Sequence, residues 1–185
     1  MNGVIEQVLS EMTACVRQVP ADSLMEAGEL IESAPRIFVA GAGRSGLCMK
    51  AFGMRLMHTG KTVHVVGETT TPSIAEADLL IVGSGSGRTA SLLAMAGQAQ
   101  RRKAKILLFT TDATSPLAEL ADHRVVIPAP SYMAYEGGHI LTSVQPLGTL
   151  FEQAMFILCD SLVLGLMQQT GVSAVQMFER HANLE

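Results

Sequence analysis

Apolar residues recur at helical spacing in the first stretch of the chain. Val4, Ile5, Val8, Leu9, Met12 and Val16 fall on one side, which predicts a helix over residues 2–19, ended by Pro20. Ser23 and Glu26 have capping-box spacing and predict a second helix through about Ile31, which Ala34-Pro35 closes. The pattern then changes to short, nearly continuous apolar runs: Arg36–Ala40, Thr62–Val66, Asp78–Val82, Lys105–Phe109 and Arg124–Ile127. Runs of this kind are strands buried on both faces. A helix to about Met57 follows the first, and the turn Gly67–Pro72, rich in hydroxyls, follows the second. A helix to about Arg101 follows the third, and a short helix opening at Ser115-Pro116, with Pro in its first turn, follows the fourth.

After Pro128 the periodicity lapses. Residues 128–144, with two Tyr, a Gly-Gly pair and His139, read as an irregular loop. A long helix is expected from about Pro146 to Thr170. Its second half is apolar nearly all round, which predicts burial between subunits. Gly171 ends it, and Ser173 caps a last helix carrying Val175, Met177, Phe178 and His181. Strand runs alternating with helical patterns imply an α/β fold, a three-layer α/β/α sandwich with a five-stranded parallel sheet. The expected layout is one domain: N-terminal helices over 1–33, an α/β core over 36–128, and C-terminal helices over 145–182.

Composition sharpens this. Hydrophobic residues make up 48% of the 185, aromatics only 4%, and mean hydropathy is +0.31, so a monomer would leave large apolar patches and a homo-oligomer is expected. Net charge is −4, and the one dense basic run, Arg101-Arg102-Lys103-Ala104-Lys105, sits where a helix ends and lacks stacking aromatics. It reads as a solvated helix end, not a nucleic-acid surface. Cys15, Cys48 and Cys159 are scattered, which argues against a disulfide framework. The amino terminus carries Glu6 and Glu11 early, unlike a signal peptide. The apolar stretch Ala154–Met167 is interrupted by Asp160 and is too short to span a bilayer. A cytoplasmic protein without membrane or nucleic-acid partners is expected.

Two loops carry the candidate chemistry. Leu79–Gly83 runs into Ser84-Gly85-Ser86-Gly87-Arg88-Thr89 and then a helix, the wiring of an anion-binding strand, loop and helix. No lysine follows its last glycine, which disfavours a nucleoside triphosphate. Gly41-Ala42-Gly43-Arg44-Ser45-Gly46 also leaves a strand and opens a helix. It matches the dinucleotide fingerprint, with Glu68 placed as the ribose acid. Against that reading stands the second loop, for which a dinucleotide fold has no need. Two hydroxyl-bearing loops at strand ends suit one phosphomonoester, and a sugar phosphate is the favoured ligand. No nucleophile elbow with a companion base is visible.

Glu152, near the start of the long helix, has few charged companions in sequence and is a candidate proton shuttle through desolvation. Helix position alone leaves equally open a glutamate that merely favours the dipole. Among the histidines, His58 ends a helix where a cation is favourable, His64 lies in a strand, His123 looks exposed, and His139 falls in the irregular loop. His181 by itself reads as a residue near a terminus. No pair has metal-ligand spacing, and neither metal nor cofactor is expected.

Several segments together resemble the sugar isomerase (SIS) domain family, and within it the 6-phospho-3-hexuloisomerase group. They are Val39–Gly46, Met54–Gly60, Val82–Thr89, Pro146–Glu152 and the ending Arg180-His181-Ala182-Asn183-Leu184-Glu185. The resemblance implies a flavodoxin-like fold and a tetramer with active sites between subunits. It also implies interconversion of 3-hexulose 6-phosphate and fructose 6-phosphate, in the ribulose monophosphate route of formaldehyde fixation. Gly43, Arg44, Ser45, Ser84, Ser86 and Thr89 would bind substrate, with the phosphate on Ser45, Ser84, Ser86 and Thr89. Glu152 would be the base, and His181 the histidine a neighbouring subunit lends for ring opening. Arg88 departs from the Glu that many relatives carry there. The alternatives are an isomerase of pentose or heptose phosphates and a non-catalytic sugar-phosphate sensor.

Overall fold

The computed structural model describes residues 1–130 and 143–184. Tyr132, Tyr135, the Gly-Gly pair and His139 lie outside them. The elements run α1 (Asn2–Val16), α2 (Ala21–Ser33), β1 (Ile37–Gly41), α3 (Gly43–His58), β2 (Val63–Val65), β3 (Leu79–Gly83) and α4 (Ala90–Arg101). Then come β4 (Lys105–Thr110), α5 (Pro116–Leu120), β5 (His123–Val126), α6 (Thr149–Thr170) and α7 (Ala174–Glu179). All five strands are parallel, in the order β2-β1-β3-β4-β5. That is the α/β sandwich and the flavodoxin-like order expected.

Alternate residues along β1, β3 and β4 feed two cores, and the edge strands pack against the first. Ile37, Val39, Leu79, Ile81, Leu107, Phe109 and Val125 face the layer of α1, α2, α3 and α6. Phe38, Ala40, Leu80, Val82, Ile106 and Leu108 face α4 and α5. The period-2 alternation of a pleated strand sorts one apolar run onto two buried faces. No helix joins β2 to β3. The connecting segment is tied back by Asp78, whose buried carboxylate accepts from Arg36 Nε and Nη2 (3.0 and 2.6 Å) and from the Ala75 N–H (2.7 Å).

Some expectations change. α2 starts at Ala21 behind Pro20, so Ser23 and Glu26 sit inside it and form no capping box. The Ser23 hydroxyl instead meets His123 Nε2 (3.2 Å) and the Arg124 carbonyl, and Glu26 pairs with His123 Nδ1 at 3.1 Å. His123 is therefore a mostly covered strut between α2 and β5, not an exposed side chain. α1 ends at Val16, and its first turns leave Val4, Ile5 and Leu9 about half exposed. α6 begins at Thr149, and Phe156, Ile157 and Leu164 stay exposed along it. These are the apolar surfaces the composition anticipated. With 22 residues, α6 is longer than the apolar stretch 154–167 and could cross a membrane by length and composition. Half of it is buried against the sheet layer, which makes it the core helix of this fold.

Candidate active site

The register of the sheet sets the site. Gly41 at the end of β1 is the partner of Gly83 at the end of β3, so both loops leave the sheet at one level, side by side. From β1 the chain crosses to β2 on one side, and β3 lies on the other. The gap between the two loops is therefore the switch point where ligands of open parallel sheets bind.

Each loop is shaped by glycine. A Cβ on Gly46 would lie 2.6 Å from the Gly41 carbonyl oxygen, so α3 can start this close to β1 only without one. Gly43 opens α3 at φ +57°. In the second loop Gly87 holds φ +61°, and its N–H reaches both the Ser84 carbonyl and the Ser84 hydroxyl at 3.2 Å. The Gly85 carbonyl is taken by Thr110 Oγ1, Thr111 Oγ1 and the Thr111 N–H, and the Gly87 carbonyl by the Leu117 N–H. None of those partners lines the cleft. Because Ser84 Oγ accepts from Gly87, its own proton remains to be given. Thr89 is the N-cap of α4 but spends no side-chain bond on it. The first N–H groups of α3 and α4 have no intrahelical partner, and both helices start at the loops.

Ala42, Gly43, Arg44, Ser45, Ser84, Ser86 and Thr89 line one cleft of about 360 Å³, whose other wall is Leu147, Gly148, Phe151 and Glu152. Every expected binding residue and the expected base therefore meet in one place, although α6 lies far from both loops in sequence. Glu152 is 15% exposed and accepts from Arg44 Nε at 2.5 Å. Glu152 has few charged companions in sequence, and its partner in space comes from the first loop. Leu147, Gly148 and Phe151 were not anticipated as lining. Glu152 itself was the available signal, since Gly148 is one helical turn before it and Phe151 is its neighbour.

Other groups fall away from the cleft. Cys48, one turn along α3, donates to the Glu152 carbonyl at 3.6 Å, and burial together with the Glu152 charge pushes its thiol up. That shift disfavours the thiolate, the nucleophilic form of a cysteine. Arg88 pairs with Asp112 at 2.9 Å and does not line the cleft. Glu68, the acid the dinucleotide reading needs, is not in the lining either. His181 stacks on His58, with ring centroids 5.4 Å apart, at the far end of α3, about 24 Å of helix from the cleft of its own chain. Burial, with Arg55 and His181 beside it, pushes the His58 imidazole below its ordinary range, which works against the cation that a helix end favours. His64 in β2 rests on the Phe38 ring. Among the described residues, no cluster of three or more His, Cys, Asp or Glu is arranged to hold a metal.

Comparison with known proteins agrees with this fold. The SIS domain profile matches residues 30–156. The chain is 44% identical to a 3-hexulose-6-phosphate isomerase of Mycobacterium gastri, over 96% of this chain and 88% of that one. It is 38% identical to a protein of the same description from Bacillus subtilis, over 98% and 97%. Among solved structures, a Methanococcus jannaschii protein superposes with a TM-score of 0.83 at 30% identity, over 99% of both chains. Its crystal structure was taken to infer a molecular function of 3-hexulose-6-phosphate isomerase. By its sheet, its paired loops and these likenesses, the chain belongs to the SIS domain family.

Proposed function

We propose that this protein interconverts 3-hexulose 6-phosphate and fructose 6-phosphate. The observation that carries the reading is the Glu152 carboxylate facing two hydroxyl-lined anion loops across one cleft. The loops take the phosphate: Ser45, Ser84, Ser86 and Thr89 donate hydroxyl protons, and the starts of α3 and α4 add N–H groups and favourable dipoles. This grip lies away from the reacting carbons and orients them. Glu152 removes the proton on C2 of the 3-hexulose, and the C2–H electron pair forms the C2=C3 bond of a cis-enediolate as negative charge moves onto O3. The same carboxyl returns the proton to C3. Meanwhile the hydroxyl proton leaves O2, which becomes the new carbonyl, and O3 ends as a hydroxyl. Protons and electrons balance without an outside oxidant, and no cofactor takes part. Arg44, beside Glu152, orients the carboxylate and offsets charge developing on the enediolate oxygens.

His181, too far to serve its own cleft, is assigned to ring opening in the cleft of a neighbouring copy. The half-exposed Val4, Ile5 and Leu9 and the exposed Phe156, Leu164, Val175 and Phe178 support a homo-oligomer, here a tetramer. The three unpaired cysteines fit a reducing cytoplasm.

Incubation with fructose 6-phosphate in heavy water is expected to place deuterium at C3 of the recovered sugar, read by NMR. Exchange at C1 alone would indicate aldose–ketose chemistry instead, and binding without exchange would indicate a sensor. Ser84→Ala is expected to raise KM about tenfold with kcat within about twofold, because the lost hydroxyl serves the phosphate loop, as donor to the phosphate and acceptor from the Gly87 N–H, and not the reacting carbons. Steady-state kinetics in which KM does not move would remove Ser84 from the phosphate site.

A further inference from the structure

The wall of the cleft that carries Glu152 is not held by the sheet alone. Glu11, on α1, accepts three hydrogen bonds from the segment that leads into α6. They come from the Ser143 hydroxyl (2.7 Å) and Gln145 Nε2 (3.2 Å) on Oε2, and from the Val144 N–H (2.8 Å) on Oε1. Ser143 Oγ also accepts from the Gln145 N–H at 3.0 Å, which closes the knot. One turn further along α1, the Cys15 thiol donates to the Pro128 carbonyl at 3.6 Å. A single turn of α1 therefore holds both ends of the connection from β5 to α6.

Beyond the knot the chain becomes the cleft wall. Leu147 has φ +54°, a left-handed conformation that a leucine keeps only when its surroundings impose it. Leu147 and Gly148 line the cleft, and the Gly148 carbonyl accepts from the Glu152 N–H in the first turn of α6. Burial alone would push the Glu11 carboxyl up. The bonds from Ser143, Val144 and Gln145 outweigh it and hold the carboxyl below its ordinary range, so Glu11 is charged at neutral pH.

We propose that Glu11 is a positioning residue for the reaction: its carboxylate fixes Ser143–Gln145, and through them the Leu147–Gly148 wall and the placement of Glu152. The proposal rests on the reading of Glu152 as the base. Glu11 touches neither anion loop, so its loss separates reaction from binding. Small displacements of a reacting group cost far more in turnover than in affinity.

The test compares Glu11→Ala, Glu11→Gln and Ser143→Ala with the wild type. Hydrogen exchange of the 143–149 amides is expected to quicken about tenfold in Glu11→Ala. Its kcat for fructose 6-phosphate is expected to fall about tenfold per folded molecule, with KM and inorganic phosphate affinity within about twofold. Glu11→Gln, which keeps an oxygen for the Val144 N–H, should recover part of the loss. Ser143→Ala removes the hydroxyl's bond to Glu11 and its bond from the Gln145 N–H while leaving Glu11 in place, so the test stands even if Glu11→Ala folds poorly. Unchanged exchange at 143–149 overturns the proposal, as does a lower Tm with kcat per folded molecule unchanged. Should the wild type not exchange the C3 proton, the assigned reaction fails. The amide-exchange and phosphate measurements would still judge the anchor.

Discussion

Replacing Glu152 by Gln is expected to lower kcat about a thousandfold, with KM within a few-fold and the fold intact. The substitution keeps the shape and one oxygen to accept from Arg44, and removes only the basic group. Loss of a positioned general base costs about 10²–10⁴ in rate, and this reaction uses its base twice, once at each carbon. Binding should hold because the hydroxyls of Ser45, Ser84, Ser86 and Thr89 belong to the other wall. Stability should change by less than about 1 kcal/mol, since Arg44 is 65% exposed and its pairing with Glu152 is screened by water. Steady-state kinetics and deuterium uptake at C3 should fall together. A Gln variant with ordinary turnover would put the base elsewhere in the cleft.

Gly87→Ala is expected to undo the second anion loop and to destabilise the chain by about 3 kcal/mol. Two causes act at one position. The backbone sits at φ +61°, and a Cβ there would lie 2.0 Å from Ser115 Oγ and 2.4 Å from its Cβ. Ser115 cannot withdraw. It is fully buried, caps α5 by accepting from the Ala118 N–H, and donates to the Asp112 carbonyl. The loop must move instead, which breaks the bond from the Gly87 N–H to Ser84 and shifts the hydroxyls proposed to grip phosphate. Gly43→Ala is the control: φ is +57° there too, but the space is open, so only backbone strain of about 1–2 kcal/mol applies. Urea unfolding and phosphate affinity should separate the two. Equal effects from both variants would mean that Ser115 yields.

Much of this fold is legible in the linear pattern, for reasons particular to it. The three central strands β1, β3 and β4 are buried on both faces, so they read as nearly unbroken apolar runs, and the glycine loops mark where two of them end. Gly171 and Ser173 terminate and cap as expected because such signals are local: Gly171 takes φ +73°, and Ser173 forms a capping box with Gln176. The Ser23–Glu26 pair misleads because the cap of α2 is decided by Pro20. The serine then serves a contact with His123, a hundred residues away. Long-range pairings were the harder part of the site. Nothing in the neighbourhood of Glu152 in sequence announces Arg44, 108 positions earlier. The anchoring of Ser143–Gln145 by Glu11 is equally invisible, since on α1 the glutamate reads as one more polar position.

Gly41 and Gly83 stand level in adjacent strands, so the device proposed to hold the anion is complete within the first half of the chain, whereas the proposed base is delivered by a helix encoded separately. Affinity and reactivity can therefore diverge independently. A descendant that kept both turns and lost one acid at position 152 would still capture the same sugar without transforming it. In such an architecture a catalyst lies one substitution from a receptor.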